Sequence, residues 1–471
     1  MKLLEYMVLI LSILLLLRGE LMPEILPKEW QVPRDFPTIQ AAVEAAHEGD
    51  KILIAPGIYQ EHLVISKSLT LQGAGPDTIL EGEPSEFELF MEEPAEGEQP
   101  SGVRIIVRLG PSVSGEIPMI PKTVGQPAIV IQARQVQIRG LQIRPQGLRV
   151  DYPPWESPLV PRPLRAGVLV EKGAEALIEQ VIIRNTHYGI VVKRGASLTL
   201  RHSILHNWTR GLQIWGTATV EDNSIHNEDI YESESSEVAV LIEGGRAFLR
   251  RNRISIFHVD PYGMSAHRIG DFFDRAIEAF DSDLVMEDNH IVGDLHHNIS
   301  IFGGKASIRN NLLIYRGGNE FSTGLKIGST EAAVESNTVI GLMPHGVGIQ
   351  INPKAQVILK QNRLSHNWIG IEISGAAAQL IENEIYANKT GIQLTPHEEA
   401  DILAQVELVN NKINQNEECG IAAQSSRYVY GEGKVYEIFK GQLKGEGNEI
   451  EDNLGSNLCP PDYPWPPGFR K

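Results

Sequence analysis

The stretch Gly348-Ile349-Gln350-Ile351 returns 22 residues later as Gly370-Ile371-Glu372-Ile373, and 21 residues after that as Gly391-Ile392-Gln393-Leu394. The same phrase, a small residue followed by apolar, variable and apolar positions, stands at Gly167, Gly189 and Gly211 in steps of 22, and at Gly324, 24 residues before Gly348. A period in the range of about 20 to 50 residues marks stacked units that cannot bury their apolar faces alone. Weaker copies at Ala239, Ala276, Asn298 and Gly420 fill the gaps, and their longer steps show where loops are inserted. The chain is therefore expected to be an all-β solenoid with one continuous core.

In a strand, alternate side chains face opposite ways, so the phrase assigns inside and outside. The positions one and three after the small residue point inward. The position two after it forms an outward file that includes Leu169, Val191, Gln213, Leu241, Glu278, Ser300, Lys326, Gln350, Glu372 and Gln393. A second file, two before the small residue, includes Asp274, His296, Trp368 and Lys389. Both become rich in ionisable groups at the coils of Ala276, Asn298 and Gly324, where Asp274, Arg275, Glu278, His296, His297, Ser300 and Lys326 are expected to share a patch. Carboxylates beside His and Lys are the equipment of general acid–base chemistry, so Asp274, Glu278, His296 and Lys326 are the catalytic candidates. Sugar rings stack on aromatic faces. Trp208 and Trp368, in the matching contexts His206-Asn207-Trp208 and His366-Asn367-Trp368, are therefore either glycan contacts, with Gln213, Arg275, Gln350 and Glu372 supplying hydrogen bonds, or residues packed under neighbouring loops.

A second signature lies between the phrases, as in Glu221-Asp222-Asn223 and Glu382-Asn383. Asn tolerates left-handed turn geometry, and its amide can bond to the next coil, so Asn223, Asn289, Asn337, Asn362, Asn383 and Asn411 are expected to form turn ladders. Thr38 to His47 reads as a short helix with Ile39 and Val43 on one face, positioned to cover the open end of the first coil.

The 60 acidic against 42 basic residues leave a formal charge of -18. No broad basic surface remains for phosphate, which argues against nucleic acid as a partner. Residues 1–18 carry an apolar run, Tyr6 to Leu17, behind Lys2, which reads as a signal peptide or an uncleaved N-terminal anchor. Only two cysteines occur, Cys419 and Cys459, and in an oxidising compartment they are expected to form a disulfide tying the C-terminal cap to the final coils. The solenoid spans 30–460, with insertions near 81–127, 151–163 and 255–275 and a Pro-rich tail over 461–471 that can fold back as an end cap. The first insertion opens with eight Glu between Glu81 and Pro100, where calcium is one reading and a solvated loop the other.

The opening Asp35-Phe36-Pro37-Thr38-Ile39-Gln40 through Ala55-Pro56-Gly57-Ile58-Tyr59 resembles the N-terminal cap and first coil of exported pectin-lyase-like proteins. The later coils resemble the carbohydrate-binding and sugar-hydrolase repeat family that includes the NosD type. The resemblance implies a single-stranded right-handed parallel β-helix with a short N-terminal capping helix. Pectin methylesterases carry Asp in a phrase for which the nearest match here is Leu212-Gln213-Ile214-Trp215-Gly216, which has Leu. The paired Asp residues of polygalacturonases are also missing ahead of His345-Gly346. Those two activities are disfavoured, and a polysaccharide lyase or another glycoside hydrolase stays open. The NosD resemblance adds a periplasmic accessory role in copper-site maturation, for which His258, His267, His290, His296 and His297 are the available ligands. The reading preferred from the residues is an exported protein that binds an extended glycan along its lateral sheet; a structural cell-surface protein is the third alternative.

Overall fold

The structure is a computed structural model, described here over residues 27–82, 124–125, 127–145, 164–227, 238–256, 275–293, 297–315, 322–341, 346–396, 404–429 and 433–469. One coil shows the plan. Val347–Ile351 lies in sheet 1, Gln356–Lys360 in sheet 2 and Arg363–Ser365 in sheet 3, before Ile369–Ser374 returns to sheet 1. Each strand pairs in parallel with its equivalent one coil later, Val347 with Ile369, Gln356 with Ala377 and Arg363 with Glu384. The repeated phrase is the sheet 1 strand. Its inward positions, such as Ile349, Ile351, Ile371 and Ile373, are wholly buried in a core cluster that runs from Val32 to Phe469.

The turn between sheets 2 and 3 is set by two successive residues with different tasks. Asp222, Arg251, Asp288, Asn310, Ser336, Gln361, Glu382 and Asn410 hold φ between 51° and 58°. The Asn that follows each of them is buried; Asn223 opens the series by accepting from Ser203 N at 2.9 Å, and from Asn252 onward the side-chain oxygen accepts from the main chain and amide of the Asn one coil before, as from Asn223 to Asn252 (3.1 and 3.0 Å) and from Asn311 to Asn337 (2.9 and 3.0 Å). The ladder holds all six expected asparagines and also Asn252, Asn311 and Asn448. The expected division of labour needs correcting, because the left-handed residue is the one before the ladder Asn. A second ladder, Asn367, Asn388, Asn416 and Asn453, lines the turn from sheet 3 back to sheet 1.

Sheet 2 carries a third ladder, of charge. Arg139, Glu179, Arg201, Glu221, Arg250, Glu287, Arg309, Glu335 and Lys360 occupy successive rungs of one outward file. The signs alternate without a break, and Glu179 bridges Arg139 and Arg201 at 3.3 and 3.0 Å. Such exposed pairs each contribute little stability. Their larger effect is on register, since a slip of one coil would set like charges opposite one another.

Both ends are covered. Ile39–Ala45 is helical, with the Thr38 hydroxyl accepting from Ala41 N at 3.2 Å and the Glu61 carboxylate accepting from Ile39 N and Gln40 N at 2.9 and 2.8 Å. Beneath it, buried Asp50 accepts from Lys28 N (2.7 Å), His47 N (2.9 Å) and Trp30 Nε1 (2.9 Å). Burial works to raise the Asp50 pKa, and these hydrogen bonds outweigh it, so the carboxyl titrates below its ordinary range. A depressed pKa means a contribution present above the unfolded value, about 3.9, and lost as pH falls through the folded one. Amide protection over 29–54 is therefore expected to fall before that of the central coils as pH drops below about 4. Hydrogen exchange across that range checks it, and Asp50→Asn should flatten the acid dependence of this end.

At the other end Tyr463, Trp465 and Phe469 turn into the last coil, 8%, 5% and 6% exposed. Cys419 and Cys459 are bonded across 40 residues of chain. A loop of that length corresponds to about 4 kcal/mol of loop-closure entropy. Reduction, or Cys459→Ser, is expected to release the C-terminal cap first, seen as an early Trp465 fluorescence change ahead of the main thermal transition. The expected signal peptide or anchor over 1–18 and nearly all of the three expected insertions lie outside the described residues. No described helix is long and apolar enough to cross a membrane.

Candidate functional site

The outer face of sheet 1 changes character along the solenoid. Its N-terminal rungs, with Val130, Leu169 and Val191 in the outward file, form a buried apolar cluster with Ala166 and Tyr188, edged by Val64 and Trp215. From Gln213 onward the file becomes polar, Leu241 excepted. Leu241, Glu278, Ser300, Lys326, Gln350, Glu372 and Gln393 follow on successive rungs, spaced by about 4.8 Å.

Gln213 is wholly buried, accepting from Arg210 Nη1 at 3.1 Å and donating to Glu243 Oε2 at 2.8 Å, and Trp215 Nε1 donates to the same oxygen at 3.0 Å. It closes the apolar end of the face, so its assignment as a free sugar contact is corrected. Arg275 Nη1 donates to Glu278 Oε1 at 2.5 Å. Ser300, one rung on, is 1% exposed, and its hydroxyl has no hydrogen-bond partner among the described residues. Lys326 is half-buried, with its Nζ 5.9 Å from the Phe302 ring and no carboxylate bonded to it among the described residues. Burial and then the neighbouring Arg275 push its pKa below the ordinary lysine value. Beyond it, Gln350 Nε2 donates to Glu372 Oε2 at 2.9 Å and the Thr395 hydroxyl to Glu372 Oε1 at 3.2 Å.

Phe280 and Phe302 form an aromatic shelf beside this track. They stack at 5.9 Å with planes 14° apart. Phe302 lies against Gly328, where an added Cβ would come within 2.7 Å of the ring. These rings were not among the expected contacts. The same alternation that places the second residue after Ala276 or Asn298 outside also places the fourth, so the signal was present in the phrase.

The two expected tryptophans part company. Trp208 is 2% exposed inside the core, so it cannot stack a sugar. Trp368 is 36% exposed, with Lys389 Nζ 3.2 Å from its ring centre. The matching contexts hide an offset of one residue. Positive φ falls on Asn207 (53°) in the first turn and on His366 (61°) in the second. In the second turn Asn367 enters the buried ladder and the next residue is left outside; in the first the Asn207 amide bonds Asn185 at 3.3 Å near the surface and the Trp turns in.

Of the four catalytic candidates, Asp274 and His296 lie outside the described residues. Glu278 and Lys326 stand two rungs apart with Ser300 between them. Glu278 is held by Arg275, and Glu372 lies four rungs away, about 19 Å, too far to pair with it across a glycosidic bond. His258 and His267 are also outside the described residues, and among those described no group of three or more His, Cys, Asp or Glu is arranged to hold a metal ion.

No curated protein sequence matches the chain. Solved structures similar to it include a periplasmic alginate epimerase (12% identity, 85% of this chain and 77% of that one, TM-score 0.37). A family 28 exopolygalacturonase of Yersinia enterocolitica matches at 13% identity over 91% and 79%, TM-score 0.40. A thermostable α-1,3-glucanase of Streptomyces thermodiastaticus matches at 13% identity over 88% of this chain and 66% of its own, TM-score 0.44. The sequence pattern described as the right-handed β-helix region matches residues 166–339 and 318–434, more than half of the chain. With its parallel three-sheet coils and their Asn ladders, the chain belongs to the right-handed β-helix family.

Proposed function

We propose that this protein is an exported carbohydrate-binding β-helix that holds an extended glycan along the polar part of sheet 1. The observation that carries the reading is the juxtaposition of the Phe280–Phe302 shelf with the Lys326 ammonium, a ring-stacking surface beside a cation with no carboxylate bonded to it among the described residues. A pyranose offers both complements, C–H faces for the rings and hydroxyls or carboxylates for the donors. Further rungs at Gln350, Glu372 and Gln393 extend the track, so affinity should rise with chain length. The engaged state of Glu278 supports binding rather than turnover.

Affinity electrophoresis against acidic and neutral polysaccharides, with a parallel assay for reducing ends and unsaturated products, tests the proposal. Phe302→Ala and Lys326→Ala are each expected to weaken retention about tenfold, corresponding to roughly 1–2 kcal/mol per lost contact, with no new ends formed by the parent protein. Retention unchanged in both variants would remove the face from consideration, and product formation would make the protein an enzyme.

A further inference from the structure

Sheet 2 has a surface of a different kind. Along its outer face runs an open groove of about 820 Å³, bounded at one end by Arg246 and Phe248 and at the other by Gln442 and Lys444. It crosses eight rungs, about 34 Å end to end. The floor file is small or apolar over the middle rungs, with Val285, Ser307, Ala333 and Ile358 in succession. Ile358 is 45% exposed, unusual for a large aliphatic side chain at the centre of a strand.

The edge of the groove presents little net charge. Arg246 is bonded to Asp283 at 2.7 Å and Lys305 to Glu331 at 2.9 Å, and from there the edge file is neutral with Gln356, Ala377, Gln405 and Gln442. The opposite flank is the alternating Arg/Glu ladder, whose charges also cancel, and at the far end the floor carries one charge of each sign on adjacent rungs, Glu407 and Lys444. A polyanion or polycation would have to compete with these pairs for its counter-charges. An uncharged polymer with apolar faces and hydroxyl edges does not.

We propose that this groove is a second carbohydrate site, separate from sheet 1, and that it takes a neutral extended polysaccharide. Pyranose C–H faces rest on Val285, Ala333 and Ile358, and ring hydroxyls meet the amides of Gln356 and Gln405. The repeated 'one rung, one side-chain set' geometry gives an extended chain equivalent contacts along its length, so no single sugar dominates. The site does not depend on the sheet 1 reading. If both hold, one molecule bridges two glycan chains on two faces.

The test uses the full chain with hydroxyethylcellulose, glucomannan and dextran as neutral probes, followed by affinity electrophoresis and light scattering. The parent is expected to be retained by at least one of them, Ile358→Asp to lose at least tenfold in that retention, and Ile204→Ser, at an exposed position on sheet 3, to keep it. Ser307→Lys, which fills the groove from an exposed position, should reproduce the loss should Ile358→Asp lower the melting temperature. Three results overturn the proposal: no retention on any neutral probe, equal retention by the groove variants, or a dimer in the parent that Ile358→Asp dissociates, which would assign the groove to a second copy of the chain. Failure of the sheet 1 reading would appear separately, as an Lys326→Ala variant with unaltered binding to every glycan.

Discussion

Replacing Asn337 with alanine is expected to be among the most damaging single changes in this chain, at about 4 kcal/mol. Asn337 is 1% exposed, and its amide nitrogen donates to Ile308 O (2.8 Å), Glu335 O (3.0 Å) and Asn362 Oδ1 (3.0 Å). Its oxygen accepts from the main chain and side chain of Asn311. Alanine would leave the Asn311 N–H unpaired away from water, at a cost of about 1–3 kcal/mol, and would remove the bonds to Ile308 O, Glu335 O and Asn362 Oδ1, each worth about 1 kcal/mol. The neighbouring residue provides the contrast. Ser336 holds φ at 57°, so Ser336→Gly should be neutral or mildly stabilising, while the ladder beside it is untouched. Urea unfolding of the two variants separates a hydrogen-bond ladder from a turn that is merely tight.

A comparable loss, more than about 3 kcal/mol, is expected for Gly370→Val. A Cβ at Gly370 would stand 2.6 Å from Gly391 O, 2.9 Å from Ile385 Cγ2 and 3.1 Å from Asn388 Nδ2. Two of these partners are main chain of the next coil and the second Asn ladder, neither of which can give way without separating the coils. The requirement comes from close approach of two backbones, and it explains why the repeated phrase begins on glycine over Gly324, Gly348, Gly370 and Gly391. Thermal unfolding of Gly370→Val and Gly370→Ala checks it, with Ala expected to fall between Val and the parent.

These two positions show what kind of information was local. The Gly-apolar-x-apolar phrase and its spacing contain the solenoid, because burial alternates with period two and each coil repeats the task of the last. The Asn ladder was half visible. Asn252 and Asn311, in Arg251-Asn252-Arg253 and Asn310-Asn311-Leu312, lack the longer signature around the others and become evident only when the coils are aligned in space. The alternating charge ladder was invisible for the same reason, since Arg250, Glu287 and Arg309 become neighbours only through registers separated by loops of unequal length. The sides of Trp208 and Trp368 depended on where a single left-handed residue fell, a choice between Asn207 and His366 that the similar words around them conceal. At the candidate site the polar file of Glu278, Ser300 and Lys326 followed from the alternation, whereas the mutual engagement of Arg275 with Glu278 and of Gln350 with Glu372 is tertiary.

The most direct measurement of the central claim is hydroxyl-radical footprinting of the full chain with and without the polysaccharide that retains it best. A glycan lying along sheet 1 is expected to protect Phe280, Phe302 and Trp368 together, with Phe302 changing most and Ile204 on sheet 3 unchanged. Unaltered labelling of Phe280 and Phe302 under conditions of demonstrated retention would contradict the account, and would place the glycan on another face of the solenoid.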